Sequence, residues 1–237
     1  MPIHNTIVDA RATIVRNRSI SRDVSIITLD CPEIASKARP GNFVNIKVSD
    51  TTQPLLRRPF SIHCIDGRNL DIMVKSVGCG TEIFCKAPEG SEVSVLGPLG
   101  NSFGSDSSGF DTAVLVSGGI GAAPMLFLEK TIISGGGKVV NLIGGRTRED
   151  LLSINLSNCM HATDDGSEGF RGTVVELLSS ELPALKKQGV LKVFSCGPTP
   201  MLKALAGFCR QNGLCCELSL ESVMGCGIGI CYGCSVE

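Results

Sequence analysis

Three cysteines near the C-terminal end of the sequence have the spacing of metal ligands. Cys226, Cys231 and Cys234 form the pattern C-x4-C-x2-C, with glycines between them. This spacing matches the first three thiolates of a plant-type [2Fe–2S] cluster, and glycines allow a loop to direct N–H groups at the sulfurs. The motif therefore predicts an iron–sulfur cluster. A zinc site made from Cys231, Cys234 and the Cys215-Cys216 pair is the alternative.

Two motifs in the first half suit a cofactor that carries phosphates and a flat ring. Arg58-Pro59-Phe60-Ser61 opens a predicted strand. The arginine can clamp a phosphate, the aromatic ring can lie against a flat ring, and the serine can hydrogen-bond a ring nitrogen. Gly80-Thr81 precedes a short helix predicted over Glu82–Lys86, whose first N–H groups suit a pyrophosphate. A strand start and an ordinary helix cap at Thr81 are the alternatives that need no ligand.

Two turns in the second half suit a dinucleotide. Gly119 and Gly121 lie between a predicted strand and a predicted helix, where glycines let a pyrophosphate approach the backbone, and Pro124 suits a first helical turn. Cys196-Gly197-Pro198 ends another predicted strand of the same sheet, where ligands of open α/β sheets bind. The thiol of Cys196, the candidate catalytic residue, can border a nicotinamide there, although a buried cysteine in a tight turn is equally ordinary.

The choice between NAD and NADP stays open in the sequence. An acidic residue that binds the ribose usually lies about 20 residues beyond the glycine turn. That region holds Asn141, with Arg146 and Arg148 further on. The two arginines suit a 2′-phosphate or are simply solvated loop charges.

The first half of the chain must position the phosphate and ring motifs, and its pattern predicts an antiparallel barrel. Short segments rich in β-branched residues alternate with Gly, Pro and Asp turns, as expected for such a barrel. The predicted strands are Thr6–Val15, Val24–Leu29, Asn42–Val48, Phe60–Ile65, Asn69–Val77 and Glu92–Leu96.

The pattern changes after about residue 103, where strands alternate with helices. This order predicts a parallel sheet of the nucleotide-binding type. The predicted strands are Thr112–Ser117, Lys138–Ile143, Val190–Ser195 and Glu217–Leu220, and the predicted helices are Ala122–Ile133, Val174–Leu185 and Pro200–Gln211. The expected organisation is a flavin-binding β-barrel over residues 1–103, an NAD(P)-binding α/β domain over 104–214 and a small iron–sulfur segment over 215–237.

Composition excludes several other classes of protein. The 237 residues are 43% hydrophobic and 19% charged with a net charge of −1, which describes a globular protein without a basic surface for nucleic acid or anionic membrane. Glycines and Pro124 interrupt the longest apolar stretch, so no membrane span is expected. The first residues do not resemble a signal peptide. Twelve cysteines without an export signal favour a reduced, cytoplasmic protein.

Taken in chain order, these motifs resemble the ferredoxin–NADP reductase superfamily, and within it the electron-transfer subunits of type B dihydroorotate dehydrogenases. The resemblance covers essentially the whole chain. Its most specific features are Arg58-Pro-Phe-Ser61, Gly80-Thr81, Leu96-Gly-Pro-Leu-Gly100, Gly119-x-Gly121-x-x-Pro124, Thr163-Asp-Asp-Gly-Ser167, Cys196-Gly-Pro198 and the terminal cysteines.

The resemblance implies three cofactors and a partner. FAD would be held in the barrel by the Arg58 and Gly80 motifs together with Met73, Val74 and Lys75, NAD(H) in the second half, and the cluster by the terminal cysteines. Electrons would pass between NAD(H), FAD and the cluster. The implied partner is an FMN-containing catalytic subunit that oxidises dihydroorotate to orotate in pyrimidine biosynthesis, within a heterotetramer of two subunit types.

Two departures from the family pattern accompany the resemblance. Phe60 stands where related subunits often carry an aliphatic residue or tyrosine. A plant-type cluster takes four thiolates, and no cysteine follows Cys234 before Glu237. The expectation is that the natural chain continues and supplies the fourth ligand.

Two alternatives to this function remain. The first is the small subunit of an NADH-dependent ferredoxin or sulfide oxidoreductase. Relatives of that kind tend to carry aspartate at the first ligand position, so Cys226 favours the dihydroorotate group. The second is a zinc-binding interaction protein, which would be colourless where a flavin and iron–sulfur protein is yellow-brown.

Overall fold

The computed structural model describes residues 7–49, 51–106 and 109–235, which form two compact units. The first unit combines residues up to Ser102 with those from Ser222 onward, and the second spans Phe103–Glu221. None of the helices in this described part has the length and apolar character that a membrane crossing requires.

The first unit is a closed antiparallel barrel, as predicted. Its strands follow one another in the order β1-β2-β5-β4-β3-β6, and β6 closes the barrel by pairing with both β1 and β3. The strands are β1 (Val8–Ser19), β2 (Val24–Asp30), β3 (Phe43–Lys47), β4 (Arg58–Asp66), β5 (Asn69–Lys75) and β6 (Glu92–Leu99); the short helices are α1 (Pro32–Ala35) and α2 (Cys79–Cys85).

Branched aliphatic residues fill the barrel because alternate side chains of each strand face the same side. Val44 and Ile46 of β3 are fully buried and lie on the same side of the sheet as Ile62 of β4. Phe84 of α2 is also fully buried and joins this interior. The barrel thereby provides a rigid support for the loops at its edge.

The second unit is a six-stranded parallel sheet in the order β10-β9-β8-β7-β11-β12, again as predicted. The chain reverses its direction of winding between β7 and β11, which is the position where open α/β sheets bind ligands. The strands are β7 (Thr112–Gly118), β8 (Lys138–Gly145), β9 (Cys159–Thr163), β10 (Phe170–Arg171), β11 (Leu191–Cys196) and β12 (Cys215–Ser219); the helices are α3 (Met125–Ser134), α4 (Val174–Leu185) and α5 (Thr199–Asn212).

Helices cover both faces of this sheet, so its central strands are apolar on both sides. Val114 and Val116 of β7 pack in the core formed with α4 and α5. Leu115, which points to the opposite face, packs in the core that contains Met125 and Leu128 of α3. The same strand therefore lies within two cores.

The structure changes two of the predicted boundaries. A 3₁₀ turn over Gly119–Ala122 separates β7 from α3, so the helix begins at Met125 instead of Ala122. Gly119 has a φ of +53°, which glycine adopts readily, and Pro124 has no N–H to donate to a helix ladder. At the other end, Cys215–Ser219 pairs with β11 as the edge strand of the sheet. The residues from Ser222 onward belong to the barrel unit, and Cys215–Ser219, which the sequence pattern assigned to the C-terminal segment, pairs with the sheet.

Candidate functional site

The structure brings two predicted flavin motifs together on the barrel. Arg58 begins β4, and its guanidinium donates to the carbonyl of Leu56 at 2.6 Å. The same side chain lies directly over Gly80, where a Cβ atom would come within 2.8 Å of Arg58 Nε. Glycine at position 80 therefore leaves room for the arginine, and a cationic group is held beside the first turn of α2.

Thr81 closes the turn that leads into α2. Its hydroxyl accepts hydrogen bonds from the N–H groups of Val77 and Gly78, at 2.9 and 3.0 Å, and donates to the carbonyl of Gly78 at 2.8 Å. The first backbone bond of the helix runs from Glu82 N–H to Gly78, so the preceding N–H groups at the helix start have no partner within the helix. Thr81 thus acts as a helix cap that shapes the loop. The evidence for a phosphate site comes from Arg58 and Gly80.

Phe60 has a different environment from the one that its motif suggests. Its ring is buried and lies 5.3 Å from the ring of Phe84 in the barrel interior. A ring in this position cannot lie against a flat cofactor at the surface, so any contact from Phe60 would come from its backbone. Pro59 and Ser61 lie on the other face of β4, because successive side chains in a strand alternate.

The three side chains of β5 that are predicted to contact FAD differ in their solvent exposure. Met73 and Val74 are buried, whereas Lys75 is half-buried and its ammonium lies 3.4 Å from the carboxylate of Asp23. Of these three side chains, only that of Lys75 reaches solvent.

In the second unit, the glycine turn packs directly on the Cys196 turn. A Cβ atom at Gly121 would overlap the carbonyl oxygen of Cys196, and one at Gly118 would come within 3.2 Å of Pro198. Pro124 is buried and immediately precedes α3. Two motifs more than 70 residues apart in sequence thus form one surface between β7 and β11. This is the position predicted for a dinucleotide.

Replacing Gly121 with alanine tests whether the two turns must touch. The added methyl group would push against backbone, which cannot move aside as a side chain does, at a cost of about 1–3 kcal/mol. We expect KM for NADH to rise about tenfold or more in a dye-reduction assay, with flavin content unchanged. Gly207→Ala is the matched control, since nothing lies near a Cβ atom there. An unchanged KM in Gly121→Ala would contradict the assignment.

Cys196 lies beside two polar residues that sequence reasoning did not identify. Burial raises the pKa of its thiol to about 12, with a smaller contribution from the nearby carboxylate of Glu221 and an opposing hydrogen bond with Ser219. Loss of hydration also raises the pKa of Glu221. The thiol is therefore neutral at pH 7 and suits contact with a ring rather than nucleophilic attack. Glu221 follows the edge strand β12 closely, and that position at the carboxyl edge of the sheet was a usable signal.

Carboxylates outnumber arginines at the carboxyl ends of β8 and β9. Arg146 Nε lies 3.9 Å from Asp150, and Arg148 Nε lies 3.1 Å from Glu168. The N–H of Asp164 donates to the carbonyl of Gly145, which places the ends of the two strands side by side. Further acidic residues in these two loops are Glu149 and Asp165. The surroundings of the two arginines are therefore negative overall.

The loop from Cys226 to Cys231 directs backbone N–H groups at a sulfur. The thiol of Cys226 accepts hydrogen bonds from the N–H groups of Cys231, Ile228 and Ile230 and from the Cys231 thiol, and these bonds lower its pKa to about 6. Positive φ angles at Gly227 and Gly229, +72° and +84°, permit the tight wrapping. A sulfur that receives several N–H groups has the surroundings of an iron–sulfur ligand. The surroundings of Cys226 therefore suit a ligand of the predicted cluster.

The thiols of this loop are only partly gathered. Cys226 and Cys231 contact each other, and Cys234 follows in the same loop. Within residues 7–49, 51–106 and 109–235, no three His, Cys, Asp or Glu side chains converge closely enough to hold a metal ion. Cys216, which the zinc alternative requires, hydrogen-bonds with the thiol of Cys209 between β12 and α5.

Comparisons with known proteins agree with this architecture. Residues 11–103 match the family of oxidoreductase FAD-binding domains. The chain is 39% identical over 230 residues to the dihydroorotate dehydrogenase B (NAD(+)) electron transfer subunit of Lysinibacillus sphaericus, covering 93% of this chain and 86% of that protein. It is 37% identical over 233 residues to the subunit of the same name from Geobacillus thermodenitrificans, covering 94% and 87%.

Two solved structures share the fold. One is an NADH-dependent reduced ferredoxin–NADP oxidoreductase studied for flavin-based electron bifurcation, with a TM-score of 0.82, 26% identity and coverage of 95% of this chain and 81% of that one. The other is a ferredoxin NADP+ reductase from Neisseria gonorrhoeae with bound FAD and NADP, with a TM-score of 0.73, 14% identity and coverage of 90% and 99%.

Proposed function

Because this chain belongs to the family of electron transfer subunits of dihydroorotate dehydrogenase B, we propose that it moves electrons between NAD(H) and a partner catalytic subunit by way of FAD and a [2Fe–2S] cluster. The partner in this proposal carries FMN, interconverts dihydroorotate and orotate in pyrimidine biosynthesis, and forms a heterotetramer with this chain in the cytoplasm. The observation that carries the proposal is the Cys226 loop, which surrounds a sulfur with N–H groups on the same unit that matches FAD-binding domains.

In this proposal, residues of the first unit bind FAD and the cluster, and residues of the second unit bind the dinucleotide. Arg58, held over Gly80, supplies a positive charge for the FAD phosphates. The turns at Gly121 and Cys196 form the surface for the nicotinamide half of the dinucleotide, with Gly119, Pro124, Gly197 and Pro198 shaping it. Cys226, Cys231 and Cys234 hold the cluster. A flavin, when bound, would supply the chemistry that links the two-electron hydride of a nicotinamide to the single electrons of an iron–sulfur cluster.

Cys196 and Glu221 have separate roles in this scheme. A neutral thiol at Cys196 Sγ offers a polarizable, uncharged surface to a flat ring, because its pKa is about 12. Glu221, whose pKa is raised, can hold a proton near that surface more readily than an ordinary glutamate. Both residues lie at the carboxyl edge of the sheet, beside the paired ends of β11 and β12.

The charge around β8 and β9 leads us to expect a preference for NADH over NADPH. The 2′-phosphate of NADPH would meet the carboxylates of Asp150, Asp164 and Glu168, and like-charge juxtaposition is strongly unfavourable. We expect kcat/KM for NADH to exceed that for NADPH by about tenfold or more. Steady-state dye reduction with each coenzyme measures the ratio, and raising the salt concentration should narrow it. Equal use of both coenzymes would contradict this assignment.

The function as a whole is tested with the purified chain and its partner. Acid-released flavin should chromatograph as FAD, and iron should accompany it. Adding the FMN-containing subunit should create NAD reduction by dihydroorotate, which neither protein performs alone. A colourless protein that contains zinc would overturn the proposal in favour of an interaction module. FMN as the only released flavin would overturn the cofactor assignment.

A ferredoxin- or sulfide-linked oxidoreductase is the second candidate. The likeness in fold to an NADH-dependent reduced ferredoxin–NADP oxidoreductase, at a TM-score of 0.82, favours it. The two functions differ in the acceptor. Reduction of ferredoxin or polysulfide by NADH, without coupling to the dihydroorotate subunit, would select this candidate.

A further inference from the structure

Asn45 of β3 is a buried polar residue on the outer face of the barrel. It is 1% exposed, while its neighbours Val44 and Ile46 are fully buried and face the barrel interior. Because side chains alternate along a strand, Asn45 points away from that interior. It is buried because the Cys226 loop, which belongs to the C-terminal stretch of the same unit, covers it. Asn45 Nδ2 donates a hydrogen bond to the carbonyl oxygen of Cys226 at 3.3 Å.

The Cys226 loop approaches Asn45 so closely that a side chain at position 227 would collide with that of Asn45. A Cβ atom at Gly227 would overlap Asn45 Nδ2 and lie 3.1 Å from its Cγ. Gly229, in the same loop and also at a positive φ, has nothing within 4 Å of a Cβ atom. The remaining neighbour of a Cβ atom at Gly227, Leu99 Cδ1, lies at 3.5 Å, which is an ordinary contact distance, so the overlap comes from the Asn45 side chain.

An apolar residue would suit the barrel better than Asn45 does. The Oδ1 atom of Asn45 is buried without a hydrogen-bond partner among the described residues, and such burial is unfavourable. A valine or leucine would cover the same surface without leaving a polar atom unpaired. The asparagine is thus accounted for by its donor group, which contacts the Cys226 loop.

The same residue is also joined to the flavin motif. Asn45 stands opposite Pro59 in the β3–β4 ladder, and its carbonyl accepts a hydrogen bond from Arg57 Nη1 at 3.3 Å. Pro59 belongs to the Arg58–Ser61 segment that we assign to FAD. The backbone of Asn45 therefore touches the strand that carries the flavin motif, and its side chain touches the loop that carries the cysteines.

We propose that Asn45 is a positioning residue that fixes the Cys226 loop to the strand next to the flavin motif. The expected consequence is a change in the reduction potential of the cluster, and this part of the inference rests on the proposed function. The carbonyl of Cys226 is held by Asn45, and the N–H groups of Ile228, Ile230 and Cys231 that follow it point at the Cys226 sulfur. N–H groups directed at cluster sulfurs raise the reduction potential because they stabilise the more negative, reduced form. Loosening the anchor should therefore lower the potential of the cluster.

The test uses four variants of the whole chain: Asn45→Ala, Gly227→Ala, Gly229→Ala and the double variant Asn45→Ala/Gly227→Ala. We expect Asn45→Ala to release iron to a chelator about two- to tenfold faster, as loss of one neutral hydrogen bond implies, and to shift the cluster midpoint potential to a more negative value. Gly227→Ala should also release iron faster. Gly229→Ala carries the same positive-φ penalty without the overlap and should affect iron release less than Gly227→Ala.

The double variant separates anchoring from general loss of stability. Removing the Asn45 side chain makes room for a methyl group at position 227, so that only the positive-φ penalty of alanine is left there. Adding Gly227→Ala to Asn45→Ala should therefore speed iron release no more than Gly229→Ala does in the wild type. Wild-type potential and iron release in Asn45→Ala would overturn the proposal. Equal effects of Gly227→Ala and Gly229→Ala would also overturn it, because backbone strain alone would then explain them.

Hydrogen exchange keeps the proposal testable without a cluster. In Asn45→Ala, the amides of Ile228 and Cys231 should exchange faster, while those of β2 on the other side of the barrel should not change. If the wild-type protein holds neither FAD nor iron, the proposed function fails, and the exchange rates still decide whether Asn45 anchors the loop. Unchanged exchange at Ile228 and Cys231 would show that it does not.

Discussion

Replacing Cys226 with serine is expected to remove the iron–sulfur cluster and to stop electron delivery to the partner subunit. The substitution takes away a ligand, and a site that metal holds together comes apart without a full ligand set. Iron per flavin should fall about tenfold or more, since second-shell changes alone lower metal affinity 10–100-fold. Reduction of a flavin-reactive dye by NADH should be largely intact, because the Arg58 and Cys196 sites are unaltered.

Cys215→Ser is the matched control for this prediction. Cys215 is exposed at the start of β12 and belongs to the other unit, so its replacement should leave iron and activity unchanged. Cys226→Ala distinguishes loss of the ligand from ligation by a serine oxygen. If dye reduction fails in Cys226→Ser while FAD stays bound, the cluster does not receive its electrons from the flavin. If Cys215→Ser loses iron as well, Cys215 takes part in metal binding. The alternative ligand set of Cys231, Cys234 and the Cys215-Cys216 pair would then be favoured over the terminal motif.

Replacing Arg58 with alanine is expected to make the flavin dissociate on dilution. A charge-assisted hydrogen bond to a phosphate contributes about 1.5–3 kcal/mol, which corresponds to a rise in the FAD dissociation constant of roughly 10- to 150-fold. The measurement is flavin fluorescence after serial dilution or gel filtration. Arg68→Ala is the control, since Arg68 is a barrel arginine that pairs with Asp30 outside the flavin motif.

Gly80→Ala gives an independent check of the Arg58 assignment. A methyl group at position 80 would displace the guanidinium, which lies within 2.8 Å of that site, without removing its charge. We expect weaker FAD binding than in the wild type and tighter binding than in Arg58→Ala. Full retention of flavin by Arg58→Ala would show that the arginine is a structural residue of the β4 start, where it already bonds Leu56.

Sequence pattern predicted the barrel and the parallel sheet because both depend on local regularities. Alternating β-branched residues and Gly-Pro turns mark the barrel strands, and the glycine turn after β7 marks the dinucleotide-binding edge. The two strands at one end of the sheet, β9 and β10, were harder to predict. β10 has two residues, and β9 reads Cys-Met-His-Ala-Thr, which carries little β-branched character. Both pair in the sheet because a preceding strand offers them an open edge.

The environments of single residues were harder to predict, because tertiary position decides them. The sequence motif left the Phe60 ring free to lie against a flat ring, whereas alternation from Pro59 turns that ring into the barrel, where it meets Phe84. The contact between Asn45 and Cys226 joins residues that are 181 positions apart. No local pattern records such a pair, and an isolated asparagine in a strand reads as an ordinary polar residue. Glu221 was missed because its relevance depends on β12 lying beside β11.

The division of the first unit into two stretches of sequence has a consequence for biosynthesis. The ribosome completes β1 to β6 before it makes Phe103–Glu221, and only then the residues that cover Asn45. At about 5–20 residues per second, the intervening roughly 120 residues take on the order of ten seconds. During that interval β4, which carries the Arg58 motif, has already been made, while the Cys226 loop does not yet cover the outer face of β3. The chain order thus sets a sequence of maturation in which the cluster loop is made after the second unit and is added onto a barrel that has had time to fold.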